Sequence, residues 1–163
     1  MQFRSMRRSK QELSKKECEA ILYKNSHGVL ALLGDGGYPY AVPISYFYED
    51  GAIYFHSAKC GHKIDAISEC GKVSFCVVDK DEVVPLEYTT YFKSVIVFGK
   101  AEIITSSESM YEFIEKLAKK YAPNDNMENR NKVIQREISK MAIIKIEIEH
   151  ISGKEAIELT KSK

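Results

Sequence analysis

The longest apolar runs in this 163-residue chain reach only about half a dozen residues, far below the ~20 that a membrane-spanning helix requires. Nor does one sign of charge dominate. Lys and Arg number 24 against 23 Asp and Glu, a net charge of +1, which lacks the electrostatic footprint of a nucleic-acid binder. The one local excess, Arg4, Arg7, Arg8 and Lys10, is short and followed by no hydrophobic run. It reads as a solvated arm rather than a signal peptide or membrane anchor. Cysteine is sparse: Cys18, Cys60, Cys70 and Cys76 include no C-x-x-C pair. Disulfide frameworks belong to shorter, secreted chains, so reduced thiols and a cytoplasmic location are expected. No G-x-G-x-x-G follows a strand, and there is neither a Walker loop nor a G-x-S-x-G elbow. The set His56, Cys60 and His62 lacks a fourth ligand and the spacing of a structural zinc site.

What is present is a globular composition, 44% apolar and 29% charged, with no internal repeat or low-complexity linker. One domain over 1–163 is expected, with residues 1–12 as an N-terminal arm and 106–140 as a helical insertion before the last strand. Ser14 and Glu17 are spaced as a capping box, followed by Cys18, Ile21 and Leu22 as the buried stripe of a helix. His27 to Leu33 is a short apolar run, the glycine-rich segment Gly34 to Gly37 a turn, and Tyr40 to Tyr48 a strand. Asp50-Gly51 turns the chain into a strand from Ala52 to His56.

Gly61 to Cys70 reads as a helix and Lys72 to Val78 as a strand covered on both faces, with Asp79 to Glu82 and Pro85 as a loop. Tyr91 to Ile104 is a long strand bent at Gly99. Met110, Phe113, Ile114, Leu117 and Tyr121 follow helical spacing, and a second short helix runs toward Lys140. Ile144, Ile146 and Ile148 alternate with charged residues as a half-buried strand. The pattern predicts a mainly β, α+β protein. About six antiparallel strands curl into a small barrel, with helices packed outside.

The densest chemistry lies between Tyr54 and Lys63, where a strand gives way to a helix. Helix N-termini present unpaired amides and partial positive charge, which suit phosphate. Ser57 adds a hydroxyl, Gly61 permits close backbone approach, and His62 and Lys63 add donors and charge. The alternative, that Lys59, His62 and Lys63 only line a wet helical turn, stays open at this point.

The segments Tyr40 to Tyr46, Asp50-Gly51, Ile53 to Ala58, Gly61-His62-Lys63, Ser94 to Ala101 and Ile151 to Lys154 together resemble the NimA-type 5-nitroimidazole-resistance proteins. These belong to the FMN-binding split-barrel superfamily that includes pyridoxamine 5′-phosphate oxidase. The likeness spans roughly residues 5 to 155. It implies a six-stranded split barrel and an FMN held at a homodimer interface. The strand Val42, Pro43, Ile44, Ser45 and Tyr46 would lie against the flavin ring through its backbone amides and carbonyls. Phe55, His56 and Ser57 would continue the cofactor wall. With Gly61 beside them, His62 and Lys63 resemble the Arg-Lys pair that grips the phosphate in the oxidase branch, histidine replacing arginine. That exchange removes a bidentate grip and ties binding to the charge of an imidazole near pH 7. Tyr91, Lys93 and Ser94 are candidates for completing the site from the partner chain, and His27 for facing a substrate near the flavin.

The resemblance thus implies an FMN-dependent oxidoreductase acting on nitro-heteroaromatic or related small molecules, with NADH or NADPH as candidate reductant. A flavin-binding or flavin-sensing module without turnover, and a split barrel holding haem or another ligand, are the alternatives.

Overall fold

The computed structural model describes residues 3–104 and 106–160. Their order is β1 (Glu12–Leu13), α1 (Lys15–Lys24), β2 (His27–Leu33), β3 (Pro39–Ser45), β4 (Phe47–Glu49), β5 (Ala52–Ala58) and α2 (His62–Glu69). There follow β6 (Lys72–Val84), β7 (Thr89–Ile104), α3 (Ser107–Tyr121), α4 (Met127–Glu137), β8 (Met141–Glu155) and α5 (Ile157–Thr160). Eight strands are described where about six were expected. Two-residue β1 joins the sheet beside β8, and the segment read as one strand from Tyr40 to Tyr48 divides at Tyr46. None of the described helices is long and apolar enough to cross a membrane.

All pairings are antiparallel, in the order β3-β2-β6-β7-β8-β5-β4 with β1 on β8. β3 and β4 stand at opposite ends of that order, yet only Tyr46 separates them in the chain. The sheet must therefore curl until its two edges meet without pairing, which is a split barrel. Pro39 and Pro43 suit β3 because an edge strand tolerates missing amides. Tyr46 anchors the seam: it is fully buried, its hydroxyl donates to the Leu22 carbonyl at 2.8 Å, and its ring meets Phe75 edge-on at 5.0 Å.

The barrel interior is filled by alternate residues of the strands, among them Leu30, Ile53, Phe55, Phe75, Val97 and Ile144. Helix α1 adds Cys18, Ile21 and Leu22, and α2 adds Ile64, Ala66 and Ile67. The α1 cap is the expected box: Ser14 Oγ accepts from the Glu17 amide, and the Ser14 amide donates to Glu17 Oε2 at 2.8 Å. Ser14→Ala should cost about 1 kcal/mol, read as a fall of roughly 3 °C in the thermal midpoint. Asp50 and Gly51 turn β4 into β5 with φ of 47° and 78°, the paired positive values of a tight hairpin.

Two expectations need correction. Asp79 to Glu82 is not a loop: β6 continues to Val84 and pairs with β7 as far as Thr89, past a register shift between Val78 and Lys80. This stretch is a two-stranded ribbon wet on much of its surface, so no apolar alternation marks it. The last strand also runs well beyond Ile144 to Ile148, from Met141 to Glu155.

Helices α3 and α4 cover the outer face of the sheet. Phe113 stacks on Tyr54 at 4.3 Å, Leu117 packs with Phe47 and Ala52, and Met110 and Ile114 meet Ile134 and Ile143. The middle of β2, β6 and β7 stays uncovered and carries Val29, Val78, Ile96 and Phe98, each at least 40% exposed.

Candidate functional site

The short length of β4 creates the site. It pairs only with Ala52, Ile53 and Tyr54, so Phe55 to Ala58 have β8 on one side and no strand on the other. β3 likewise has β2 on one side only. Two unpaired backbone edges thus border the split, and α2 begins across it. His62 stacks on Tyr40 of β3 at 4.2 Å, while Lys63 Nζ lies 5.9 Å from the centre of the Phe55 ring of β5.

Gly61 is the N-cap of α2, at φ 110°, a conformation that favours glycine, and no side chain caps the helix. The first-turn amides of Ile64 and Asp65 bond the Gly61 carbonyl. Those of His62 and Lys63 have no backbone partner among the described residues, so this end of α2 offers two donors and a partial positive charge. Burial holds the Lys63 ammonium below its ordinary pKa. An anion here would relieve that burial.

Strand alternation divides the expected site residues between two faces. Ile44, Tyr46 and Phe55 are buried in the barrel with Val42 packed against them, so at the split they present backbone rather than side chain. Pro43, Ser45 and His56 point outward. Ser57 is half-buried just before the turn into α2. His62 is turned toward the Gly34–Gly37 turn, with Nε2 3.7 Å from Asp35 Oδ1. His27 is the direct cross-strand partner of Ser45, which sets both on the outer face. Burial, followed by the nearby Lys63 charge, lowers the His56 pKa and favours neutral imidazole.

Tyr91, Lys93 and Ser94 are not brought to this place within one chain. Ser94 pairs with Lys154 near the end of β8, whereas Ala58, just before α2, pairs with Met141 at its start. Within the chain Lys93 bonds the buried Glu155 at 3.2 Å, and the Tyr91 hydroxyl donates to Glu87 at 2.8 Å.

Two features were not singled out from sequence. The Tyr121 hydroxyl, at the end of α3, donates to the Ser26 carbonyl and receives the Tyr46 amide at 3.0 Å, closing the seam where β3 gives way to β4. Beside it a cleft of about 290 Å³ opens between the sheet and the insertion. Its floor is Ser45, His56 and Met141, and its roof includes Leu117, Ala118 and Ile134. Helical spacing alone identifies such a stripe but not whether core or cleft lies beneath it. Among the described residues no group of three or more His, Cys, Asp or Glu side chains could hold a metal ion. The four cysteines are free.

Solved structures share this architecture. An FAD-binding protein of Mesorhizobium loti is 30% identical, covering 90% of this chain and 97% of its own, with a TM-score of 0.62. A candidate 5-nitroimidazole antibiotic resistance protein of Bacteroides thetaiotaomicron is 20% identical over 88% of this chain and 85% of its own, at a TM-score of 0.74. An FAD and haem binding protein of Mycobacterium smegmatis is 20% identical over 90% of this chain and 73% of its own, also at 0.74. No curated protein matches the sequence. The sequence model of pyridoxamine 5′-phosphate oxidase matches residues 14–155, nearly the whole chain, and the chain belongs to that family.

Proposed function

We propose that this protein binds FMN across the split and, as a homodimer, reduces nitro-heteroaromatic or related small molecules. The observation that carries the reading is the uncapped start of α2, set across both lips of the split with Gly61 at its N-cap and Lys63 partly buried. The amides of His62 and Lys63, the Lys63 ammonium and the Ser57 hydroxyl are a donor set for one terminal phosphate. The unpaired edge of β3, from Val42 to Ser45, offers backbone groups to the polar rim of a planar ring. When bound and reduced, FMN would supply the two electrons that, with two protons from solvent, convert a nitro group to nitroso and water. The chain's own part is to hold and orient; among the described residues no hydrogen bond or ion pair joins His56 to a carboxylate.

The uncovered sheet face supports the dimer. Val29, Cys76 and Ile96 form one cross-strand row, Ala31, Ser74 and Phe98 the next, and Phe3 stacks 5.7 Å from Phe98. An apolar face of this kind suits pairing with a second copy of the chain. The hairpin tip beyond it exposes Leu86 and Tyr88 almost fully, and Tyr91, Lys93 and Ser94 lie at its base. In this reading a second copy brings those residues to the flavin.

The protein should purify yellow, as a dimer by light scattering, and release FMN rather than FAD on denaturation. NADH or NADPH should bleach it, and a nitroimidazole should restore the colour. A colourless protein that takes up no FMN overturns the reading. Stable flavin with no reductant-linked turnover would make it a flavin-binding module.

A further inference from the structure

One set of cations is left unused by the proposed flavin site. Arg7, Arg8, Ser9, Lys10, Gln11 and Ile157 line a hollow of about 430 Å³, where the N-terminal segment passes the start of α5. That segment is tied down at its end. Residues Ser9–Gln11 make a short helical turn, closed by the Gln11 amide donating to the Arg8 carbonyl at 2.9 Å. The Gln11 side chain is buried and donates from Nε2 to the Glu155 carbonyl at 3.0 Å, and Leu13 of β1 pairs with Gly153 of β8.

Elsewhere cations meet carboxylates: Lys24 with Asp79, Lys93 with Glu155, Lys116 with Glu49 and Lys119 with Glu115. Arg7, Arg8 and Lys10 are exposed and, among the described residues, make no ion pair or side-chain hydrogen bond. No carboxylate lines the hollow, so three positive charges border one concavity and repel one another until an anion enters. The patch is too short, on a chain of net charge +1, to follow a nucleic-acid backbone. It suits a single phosphate monoester. Such a group carries a charge of about −2 near pH 7, and an arginine fork grips it through paired N–H donors.

Position narrows the choice of phosphate. Glu155 joins the hollow to the base of the β6–β7 hairpin: its carbonyl holds Gln11 and its carboxylate holds Lys93 at 3.2 Å. Tyr91, Lys93 and Ser94 are the residues that a second copy would bring to the flavin, and the same pairing carries this hollow toward that flavin. Because Glu155 already neutralises Lys93, the uncompensated charge here belongs to the N-terminal segment. The two candidate reductants differ in one group. NADPH bears a phosphate monoester on its adenosine 2′-oxygen, away from the nicotinamide, where NADH has a hydroxyl.

We propose that this hollow binds the 2′-phosphate of NADPH through Arg7, Arg8 and Lys10, and so selects NADPH over NADH as the reductant. The choice of reductant rests on the flavin reading and its dimer, whereas the phosphate site rests on the hollow alone. In the reaction NADPH gives up a hydride that, with one proton from solvent, reduces FMN, and NADP⁺ leaves.

Calorimetry on the FMN-loaded protein at low ionic strength would compare NADP⁺ with NAD⁺ and with inorganic phosphate. NADP⁺ should bind at least about tenfold more tightly than either. The double variant Arg7→Ala/Arg8→Ala should weaken NADP⁺ by about tenfold or more. Its thermal midpoint and FMN affinity should stay those of the wild type, because both side chains are exposed. Bleaching by sub-saturating NADPH should outpace NADH by about tenfold, and the double variant should bring the two within about twofold. Equal binding of NADP⁺ and NAD⁺, NADP⁺ binding indifferent to the double variant, or equal bleaching by both reductants overturns the inference. So does inorganic phosphate binding as tightly as NADP⁺, the mark of a free-phosphate site. Loss of FMN from the folded double variant also overturns it, since the flavin phosphate would then lie on the arginines. A protein that takes up no FMN, yet binds NADP⁺ and loses it in the double variant, upholds the phosphate site and refutes only the flavin reading.

Discussion

Lys63→Ala should weaken FMN binding roughly ten- to hundredfold, about 1.5–3 kcal/mol, through loss of a charge-assisted contact to phosphate. Lys63 begins α2 and is partly buried against Phe55, and burial alone depresses its pKa. Among the described residues no carboxylate pairs with that ammonium. A phosphate supplies such a partner and favours the charged form. Affinity should then fall as pH rises and Lys63 loses its proton, and the fall should begin earlier than for an ordinary lysine.

The stability sign runs the opposite way. A lysine whose pKa is lowered on folding binds its proton better in the unfolded chain, so it opposes folding wherever it is charged. Lys63→Ala should leave the flavin-free midpoint unchanged or slightly raised, which separates a binding role from a structural one. Quenching of flavin fluorescence measures the affinity. An unchanged dissociation constant would remove Lys63 from the site.

Gly99→Ala should destabilise the fold by about 3 kcal/mol or more, a larger penalty than one methyl group ordinarily brings. A Cβ at Gly99 would sit 2.2 Å from the Glu147 carbonyl oxygen and 3.0 Å from Ile146 Cγ2. Backbone cannot yield as a flexible side-chain tip does, so β7 and β8 would have to separate at their longest pairing. The position is a barrel corner: the register slips between Phe98 and Gly99, leaving Glu149 as the extra residue of a bulge. Gly51→Ala is the comparison. Gly51 has φ 78° but nothing within 4 Å, so only conformational strain opposes the methyl. That strain costs about 1 kcal/mol. Thermal unfolding of the two variants should differ by several degrees, at 2–4 °C per kcal/mol for a chain of about this size. A Gly99→Ala protein melting with the wild type would contradict the described approach of the strands.

Features written in local chemistry were legible in the sequence. Ser14 and Glu17 cap α1, Asp50-Gly51 turns a hairpin, Gly99 marks a corner, and Ile144, Ile146 and Ile148 alternate into the barrel. Features set by long-range geometry were not. Nothing in Tyr40 to Tyr48 marks the break at Tyr46, because that residue is buried by closure of the sheet rather than by any local signal. Asp79 to Glu82 looked like a loop because a wet ribbon needs no apolar alternation. The segment from His56 to Lys63 was legible as the end of a strand, a turn and the start of a helix, and β5 and α2 follow that order. That His62 and Lys63 lean on opposite lips of the split, on Tyr40 and on Phe55, required the fold. The cleft under α3 was invisible because Leu117 and Tyr121 keep the same spacing over a cleft as over a core.

The most direct test is a crystal structure of the FMN-loaded protein. The phosphate should lie within hydrogen-bonding reach of the His62 and Lys63 amides and the Lys63 ammonium, with the ring along β3 between two copies of the chain. A phosphate bound elsewhere, with Ser57 and Lys63 facing open solvent, would contradict the account.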